Sequence, residues 1–567
     1  MVCAQASDTL SSKEKIGKSS RRTHEAAAEG KEVAKIITQP SAATETEGVE
    51  GMKNLVKRTR SRAPSFTKLL FPIRALRLLG SEVDLPEPKF DMQIPIKRPR
   101  LRQLHPAQII ALSFVLVIVI GTILLSLPLA TRSATRISLV DAFFTITSAT
   151  CVTGLVVTDI GTTFSLFGQL VILSCIQIGG LGLMTFTTVF LIALGQRLSI
   201  TDRIAVQESF HHTRLGNPVP LIKHIALATF TIEVMGAAAL MLYWLRTDRF
   251  ATLGQTIYMA LFHSISAFCN AGFTLFSDNL MGFQRDPFVQ LVITTLIVTG
   301  GLGFLVGLDL REYAQQKLLQ RLHPHPALAA SNRPRPRLSV HTKFVLLTTG
   351  ALLVIGTLSY YLLERHGVFV NLSEAEAWLN AYFCAVTPRT AGFNTVDYTQ
   401  MSGAALLCTM VMMIIGASPG STGGGIKTST FALLVAYSIS RWRGHSHLHA
   451  FKRTVPQEAI DRAAAVVVAA IALLIIASSV LMVTETYGAR PDESQRRFLS
   501  LLFETISAFG TVGLSLNYTP LLTTAGKIVI SLVMFMGRIG PLTLALAISL
   551  RQRRARYRYA EENVMVG

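Results

Sequence analysis

Apolar residues along this chain fall into alternating long and short runs. Long runs occupy residues 108–129, 221–245, 344–363 and 463–483. Each supplies the roughly 20 residues that a helix needs to cross the hydrocarbon core of a bilayer. A shorter apolar stretch follows each one, such as LVDAFFTITSAT at 139–150. These stretches are too short to span, so they predict re-entrant half-helices. Second long runs follow at 166–194, 288–310, 404–437 and 528–550. The pattern predicts helix, half-helix, loop and helix, used four times.

The loops carry a repeat. SATCVTGL (148–155), SAFCNAGF (266–273), VTPRTAGF (386–393) and SAFGTVGL (507–514) align with glycine at the seventh place and Leu or Phe at the eighth. Gly154, Gly272, Gly392 and Gly513 lie 118, 120 and 121 residues apart. One such glycine would be read as a close helix-packing residue. Four in register, each after a half-helix, favour loops that meet on one axis, because irregular backbone at membrane depth must line a cavity or be buried in protein. Rings of their carbonyl oxygens can replace an ion's water shell, and glycine permits the dihedrals that turn those carbonyls inward. Half-helix C-termini aimed at the axis favour cations. The fold class expected is therefore an all-α polytopic membrane protein with four helix–pore helix–helix repeats around a pseudo-fourfold pore for a monovalent cation. The repeats are assigned to 104–200, 201–320, 321–442 and 443–557, between a cytoplasmic tail at 1–103 and a short tail at 558–567.

Composition agrees. The chain is 50% hydrophobic and 16% charged, with mean hydropathy +0.43, where a soluble protein carries about 25% charged residues. The net charge of +20 lies in the N-terminal segment and in the links between apolar runs, the pattern of loops on anionic lipid rather than of a nucleic-acid surface. Links between repeats hold more Lys and Arg than links within them, which predicts cytoplasmic termini and half-helices entering from outside. No early apolar run follows the basic N-terminal residues, so no secretory signal is expected. Residues 69–80 mix leucines with Arg74 and Arg77, which fits a segment on the inner membrane face and a packed linker equally. The six cysteines show no disulfide or zinc spacing.

Thr511-Val512-Gly513 resembles the start of the TVGYG filter of potassium channels, and Val152-Thr153-Gly154 is a looser match. Only the glycine recurs in all four loops. Glycine clusters also recur in the second helix of every repeat: 179–182, 300–303, 416–425 and 537–540. The third, GASPGSTGGG, continues to Lys427 and could suggest a phosphate loop. Gly420 to Gly425 satisfies GxxxxG, but Ile426 displaces the lysine by one place and no α/β region surrounds it. A nucleotide-hydrolysing cation pump using Gly420 to Thr428 is therefore the alternative reading. Five glycines and Pro419 make continuous helix there unfavourable, at about 1 and 3 kcal/mol each. Gly416, Ser418, Pro419, Gly420, Gly423, Gly424, Gly425 and Lys427 read best as an intramembrane gate below the filter.

Arg538 sits in an otherwise apolar span, at an insertion cost of about 2.5–3.5 kcal/mol. It is either a salt-bridge partner or an electrostatic barrier to cations below the filter, facing the gate. Glu233, also within a span, is assigned no transport role. Asp141 and Glu504 are expected just before half-helices, where carboxylates stabilise helix N-termini and could draw cations to the mouth. His263 and His445 belong to no catalytic cluster, so no enzymatic activity is expected.

VTGL, NAGF, TPRTAGF and GTVGL at these spacings resemble the Trk/Ktr/HKT superfamily of potassium transporters, nearest to the KtrB-type membrane subunit of bacterial uptake systems. The segments 166–186, 418–430 and 535–546 and the ending EENVMVG share the resemblance, which covers roughly 104–567. It implies K+ uptake across the plasma membrane, with Na+ as a candidate activator. It implies a K+-binding filter of Val152, Thr153, Gly154, Asn270, Ala271, Gly272, Thr390, Ala391, Gly392, Thr511, Val512 and Gly513. It implies Arg538 as the pore barrier, a homodimer, and a cytosolic KtrA-type nucleotide-binding ring. This chain carries no G-x-G-x-x-G fingerprint after a strand, so no cofactor other than the transported ion is expected here.

Overall fold

The computed structural model describes residues 106–132, 137–182, 219–322, 337–488 and 490–540. All lie within one compact unit, Arg100–Gly567. The expected tails, the segment at 69–80, the link between repeats 1 and 2, residues 323–336 of the next link, and residues 183–194 and 541–550 of the second runs lie outside the described residues.

Repeat 1 contains α1 (Pro106–Leu125), α2 (Leu139–Cys151) and α3 (Leu166–Leu181). Repeat 2 contains α4 (Val219–Arg246), α5 (Leu253–Phe268), α6 (Pro287–Leu302) and α7 (Phe304–Leu322). Repeat 3 contains α8 (Val340–Glu364), α9 (Glu374–Val386), α10 (Gly403–Ile414) and α11 (Thr428–Trp442). A two-residue hairpin, β1 (His449–Ala450) and β2 (Arg453–Thr454), leads to repeat 4. That repeat contains α12 (Gln457–Thr486), α13 (Pro491–Gly510) and α14 (Thr524–Ile539). The architecture is all-α.

Local chemistry sets the N-terminal ends of the half-helices and second helices. Ser138, Thr252 and Ser373 accept the backbone N–H three residues on and start α2, α5 and α9. Ser165, Asp286, Ser402 and Thr523 do the same for α3, α6, α10 and α14. Each such cap satisfies a donor that the helix cannot. The half-helix of repeat 4 is longer than expected: Pro491 occupies its first position, where proline is tolerated, and the polar turn PDESQRR precedes the apolar part.

In repeats 1, 2 and 4 the second helices depart from the continuous spans expected, whereas the break in repeat 3 falls where its glycines and Pro419 predict it. α3 stops at Gly182, α6 at Gly303 and α14 at Gly540, each glycine at φ +76 to +91 and ψ 131 to 141. α6 and α7 meet across Gly303 at 94°. In repeat 3 an irregular loop separates α10 from α11. The apolar run is unbroken in sequence, but a left-handed glycine interrupts the helix, since each residue there costs about 1 kcal/mol more than alanine.

Packing closes a ring. Within every repeat the first helix lies along its half-helix: α1 on α2, α4 on α5, α8 on α9, α12 on α13. Between repeats the second helix packs on the next half-helix: α3 on α5, α6 on α9, α10 on α13, and α14 back on α2. The outer helices turn large apolar side chains away from the protein, including Leu116, Leu227, Leu347 and Val468, each 59–68% exposed. Such a surface requires hydrocarbon rather than water. Three described helices are long and apolar enough to cross a membrane, or four with the bent α6–α7 pair.

Candidate ion pathway

Each half-helix leads into a residue with left-handed backbone: Val152 (φ 57°) and Thr511 (50°) cap α2 and α13, Asn270 (58°) follows shortly after α5, and Thr390 (71°) lies in the turn after α9. Such a conformation costs a non-glycine residue about 1–2 kcal/mol and persists only where surroundings enforce it. Two residues later come Gly154, Gly272, Gly392 and Gly513, at φ +95°, +70°, +76° and +92°. A methyl group added to Gly154 would lie 2.5 Å from the Ala271 carbonyl oxygen, and one on Gly272 would lie 2.7 Å from that of Ala391. Methyl groups on Gly392 and Gly513 would overlap the carbonyl oxygens of Val512 and Thr153. Each glycine thus touches the carbonyl before the next repeat's glycine, and the fourth closes on the first. Val152, Thr153, Asn270, Ala271, Thr390, Ala391, Thr511 and Val512 are all buried around this ring.

A hydroxyl holds each loop. Ser148 Oγ and Ser507 Oγ accept from the N–H groups of Gly154 and Gly513, both at 3.1 Å. Ser266 Oγ donates to Phe273 O (2.7 Å) and Thr387 Oγ1 to Phe393 O (2.5 Å). Asn270 and Thr390 join neighbouring loops through their side chains at 3.2 Å. Sequence reasoning assigned these hydroxyls no role, although a Ser or Thr recurring five or six residues before each glycine was the available signal.

The Gly416–Lys427 loop lies directly behind the four glycine loops. Gly424 N donates to Thr511 Oγ1 (3.0 Å) and Gly425 N to Gly537 O (3.4 Å). Toward repeat 2, Ser418 N donates to Gly301 O (3.1 Å), and Gly420 O accepts from Phe304 N (2.9 Å) just past the α6–α7 break. A methyl on Gly424 would lie 2.5 Å from Thr511 Oγ1, and one on Gly423 would overlap Thr390 Oγ1, so only glycine admits this approach. Pro419 sits beside Gly420, whose φ is +68°, and Gly425 has φ +67°. Lys427 precedes α11 and folds back, its Nζ 2.6 Å from Gly423 O.

Arg538 donates from Nη1 to Thr422 O in this loop and from Nη2 to Gly179 O at the inner end of α3. Its hydrogen-bond partners are backbone carbonyls. Among the described residues the ion pairs are Arg496–Asp492, Arg497–Glu493 and Lys527–Asp141, so the salt-bridge reading of Arg538 is not realised there. One guanidinium thus links the inner ends of three repeats.

The expected cation-attracting carboxylates are otherwise engaged. Asp141 lies in the first turn of α2, capped by Ser138, and pairs with Lys527 at 2.6 Å. Glu504 does not precede its half-helix: it lies deep in α13 and is fully buried, because that helix begins at Pro491. Glu233 is buried and accepts from Gln177 Nε2 at 3.0 Å. Among the described residues no cluster of His, Cys, Asp and Glu could hold a metal ion. The named strands among them are the two of the hairpin after α11, so no parallel strand leads into Gly420–Thr428 as a phosphate loop requires.

Residues 96–557 match the family model described as TrkH, cation transport protein. The chain belongs to this family of cation transporters. It is 39% identical over 464 residues to the Ktr system potassium uptake protein B of Bacillus subtilis, covering 82% of this chain and 97% of that protein. It is 39% identical over 473 residues to the protein of the same name from Vibrio alginolyticus, covering 83% and 97%. It is 36% identical over 479 residues to the potassium/sodium uptake protein NtpJ of Enterococcus hirae, covering 84% and 100%. The crystal structure of the potassium transporter TrkH from Vibrio parahaemolyticus shares the fold, with TM-score 0.57 at 18% identity over 80% of this chain and 87% of that one.

Proposed function

We propose that this chain is the K+-conducting membrane subunit of a Ktr-type uptake system in the plasma membrane, with both termini cytoplasmic. The observation that carries this reading is the closed sequence of glycine-to-carbonyl contacts running through Gly154, Gly272, Gly392 and Gly513. Carbonyl oxygens held at that spacing by left-handed glycines can substitute for the hydration shell of a monovalent cation. Four different loops supply the ring, so its ligand field is less uniform than that of four identical TVGYG loops.

Below the filter, Gly416 to Lys427 acts as the gate. Its contacts to the loop of repeat 4 and to the inner end of α6 hold it across the pathway, and Arg538 fastens it from the opposite side. The guanidinium adds a fixed positive charge that opposes cation passage while the gate is closed. Release requires breaking backbone hydrogen bonds rather than unfolding a helix. A KtrA-type nucleotide-binding ring would supply that work from the cytosolic side, with two copies of this chain on one ring. Na+ is proposed as an activator, in keeping with the name of the Enterococcus relative.

Purified protein in liposomes tests the reading. Rb+ uptake down its gradient without nucleotide supports a pore, and uptake that strictly requires hydrolysis by this chain alone supports a pump.

A further inference from the structure

Glu504 and His263 occupy one position in two repeats, each nine residues before its filter glycine. Both are fully buried in half-helices. His263 Nδ1 lies 2.7 Å from Met259 O, so Nδ1 carries the proton and Nε2 accepts from Leu275 N at 3.4 Å. Leu275 is three residues past Gly272. The Glu504 carboxyl accepts from Ser515 Oγ (2.5 Å) and Thr519 Oγ1 (2.7 Å), and also faces the backbone N–H groups of Leu516 and Tyr518. Leu516 is three residues past Gly513.

The other repeats show what this position does. In repeat 3 it is Phe383, and Asn380, one turn earlier, makes the equivalent contact. Its Oδ1 accepts from Thr395 Oγ1 at 2.7 Å, again three residues past the glycine. In repeat 1 the position is Thr145, whose hydroxyl bonds back to Asp141 O at 2.8 Å. Three of four half-helices therefore reach across to the segment leaving their own filter loop. Gly513, Leu514 and Ser515 of the repeat-4 loop, with Gly154 and Gly272, line a cavity of about 200 Å³.

We propose that Glu504 is a positioning residue for ion selection, fixing the outer flank of the repeat-4 filter loop and through it the Gly513 carbonyl. This rests on the pore reading above. A buried carboxyl group with several donors around it is costly to empty, because each donor left behind loses its partner. Packing alone could fill the space, but two hydroxyl donors converging on one carboxyl fix the loop in register as apolar contact does not. Glu504 touches no ion in this arrangement. It acts through Ser515, Leu516, Tyr518 and Thr519.

Reconstituted wild type, Glu504→Ala, Glu504→Gln and the pair Ser515→Ala with Thr519→Val are compared by initial Rb+ uptake, with Na+ as competitor. Glu504→Ala should raise KM for Rb+ and lower the preference over Na+, each by about ten-fold. Glu504→Gln, which keeps an acceptor oxygen, should recover most of the loss. The Ser515/Thr519 variant should move both quantities the same way by a smaller factor. Folded Glu504→Ala protein with unchanged KM and unchanged preference would overturn the assignment. If that variant does not fold, the Ser515/Thr519 variant decides by the same two quantities. Wild-type protein with no Rb+ uptake would instead overturn the pore reading itself.

Discussion

Gly392 combines two demands that the other natural residues cannot meet together. Its φ of +76° costs an alanine about 1–2 kcal/mol, and an added methyl would overlap the Val512 carbonyl of the next repeat. Gly182 has the same φ, and among the described residues nothing lies within 4 Å of an added methyl. Gly182→Ala should therefore show the conformational cost alone. Gly392→Ala should lose more thermal stability than Gly182→Ala and also lose Rb+ uptake; equal losses would mean that the inter-repeat contact carries no weight. The four glycines were legible because they recur at constant spacing. The left-handed residues before them were not, since Val152, Thr390 and Thr511 are β-branched and shun that conformation in isolation. Tertiary contacts impose it. Glu504 was misplaced for a related reason: a carboxylate near a half-helix suggested an N-terminal charge, whereas its donors come from the segment beyond Gly513.

At the level of elements, the second helix stops at a positive-φ glycine in repeats 1, 2 and 4, and at Ile415, just before the glycine loop, in repeat 3. Hydropathy did not reveal this, because apolar residues continue through 179–182 and 300–303, and on either side of Arg538 at 537–540. The repeat-3 loop was legible as a helix breaker, but its docking on Thr511 and on the inner end of α6 was not. Deleting residues 420–424 removes the contacts to Thr511 and Phe304, and should raise basal Rb+ flux several-fold; normal, still regulated flux would remove the gate from this loop. Arg538→Ala should raise flux in the absence of any cytosolic partner. Arg538→Lys should fall between it and wild type, because an ammonium keeps the charge but not the planar fork that reaches Thr422 O and Gly179 O together. Identical flux in all three proteins would reduce Arg538 to a structural residue.

At the scale of the whole molecule, the first and fourth repeats must meet for a single chain to close a pore. The helix pattern and the four-part repeat were readable from the sequence, and periodicity implied a common axis, but no residue pattern identified the closing contact. It lies between α14 and α2, where Lys527 Nζ and Asp141 Oδ1 stand 2.6 Å apart, both side chains about one-fifth exposed or less. Breaking a pair of intermediate burial should cost about 1–3 kcal/mol. Lys527→Met and Asp141→Asn should each lower the melting temperature, and the double variant should lose less than the two losses combined; strict additivity would show that the pair is not coupled. Selection by the closed ring is tested most directly by Rb+ uptake into liposomes holding the purified protein without nucleotide, wild type beside Gly154→Ser. Wild type should take up Rb+ and favour it over Na+, and Gly154→Ser, which places a side chain against the Ala271 carbonyl, should reduce that preference about ten-fold or more. An unchanged preference in folded Gly154→Ser protein would contradict selection by this ring of glycine loops.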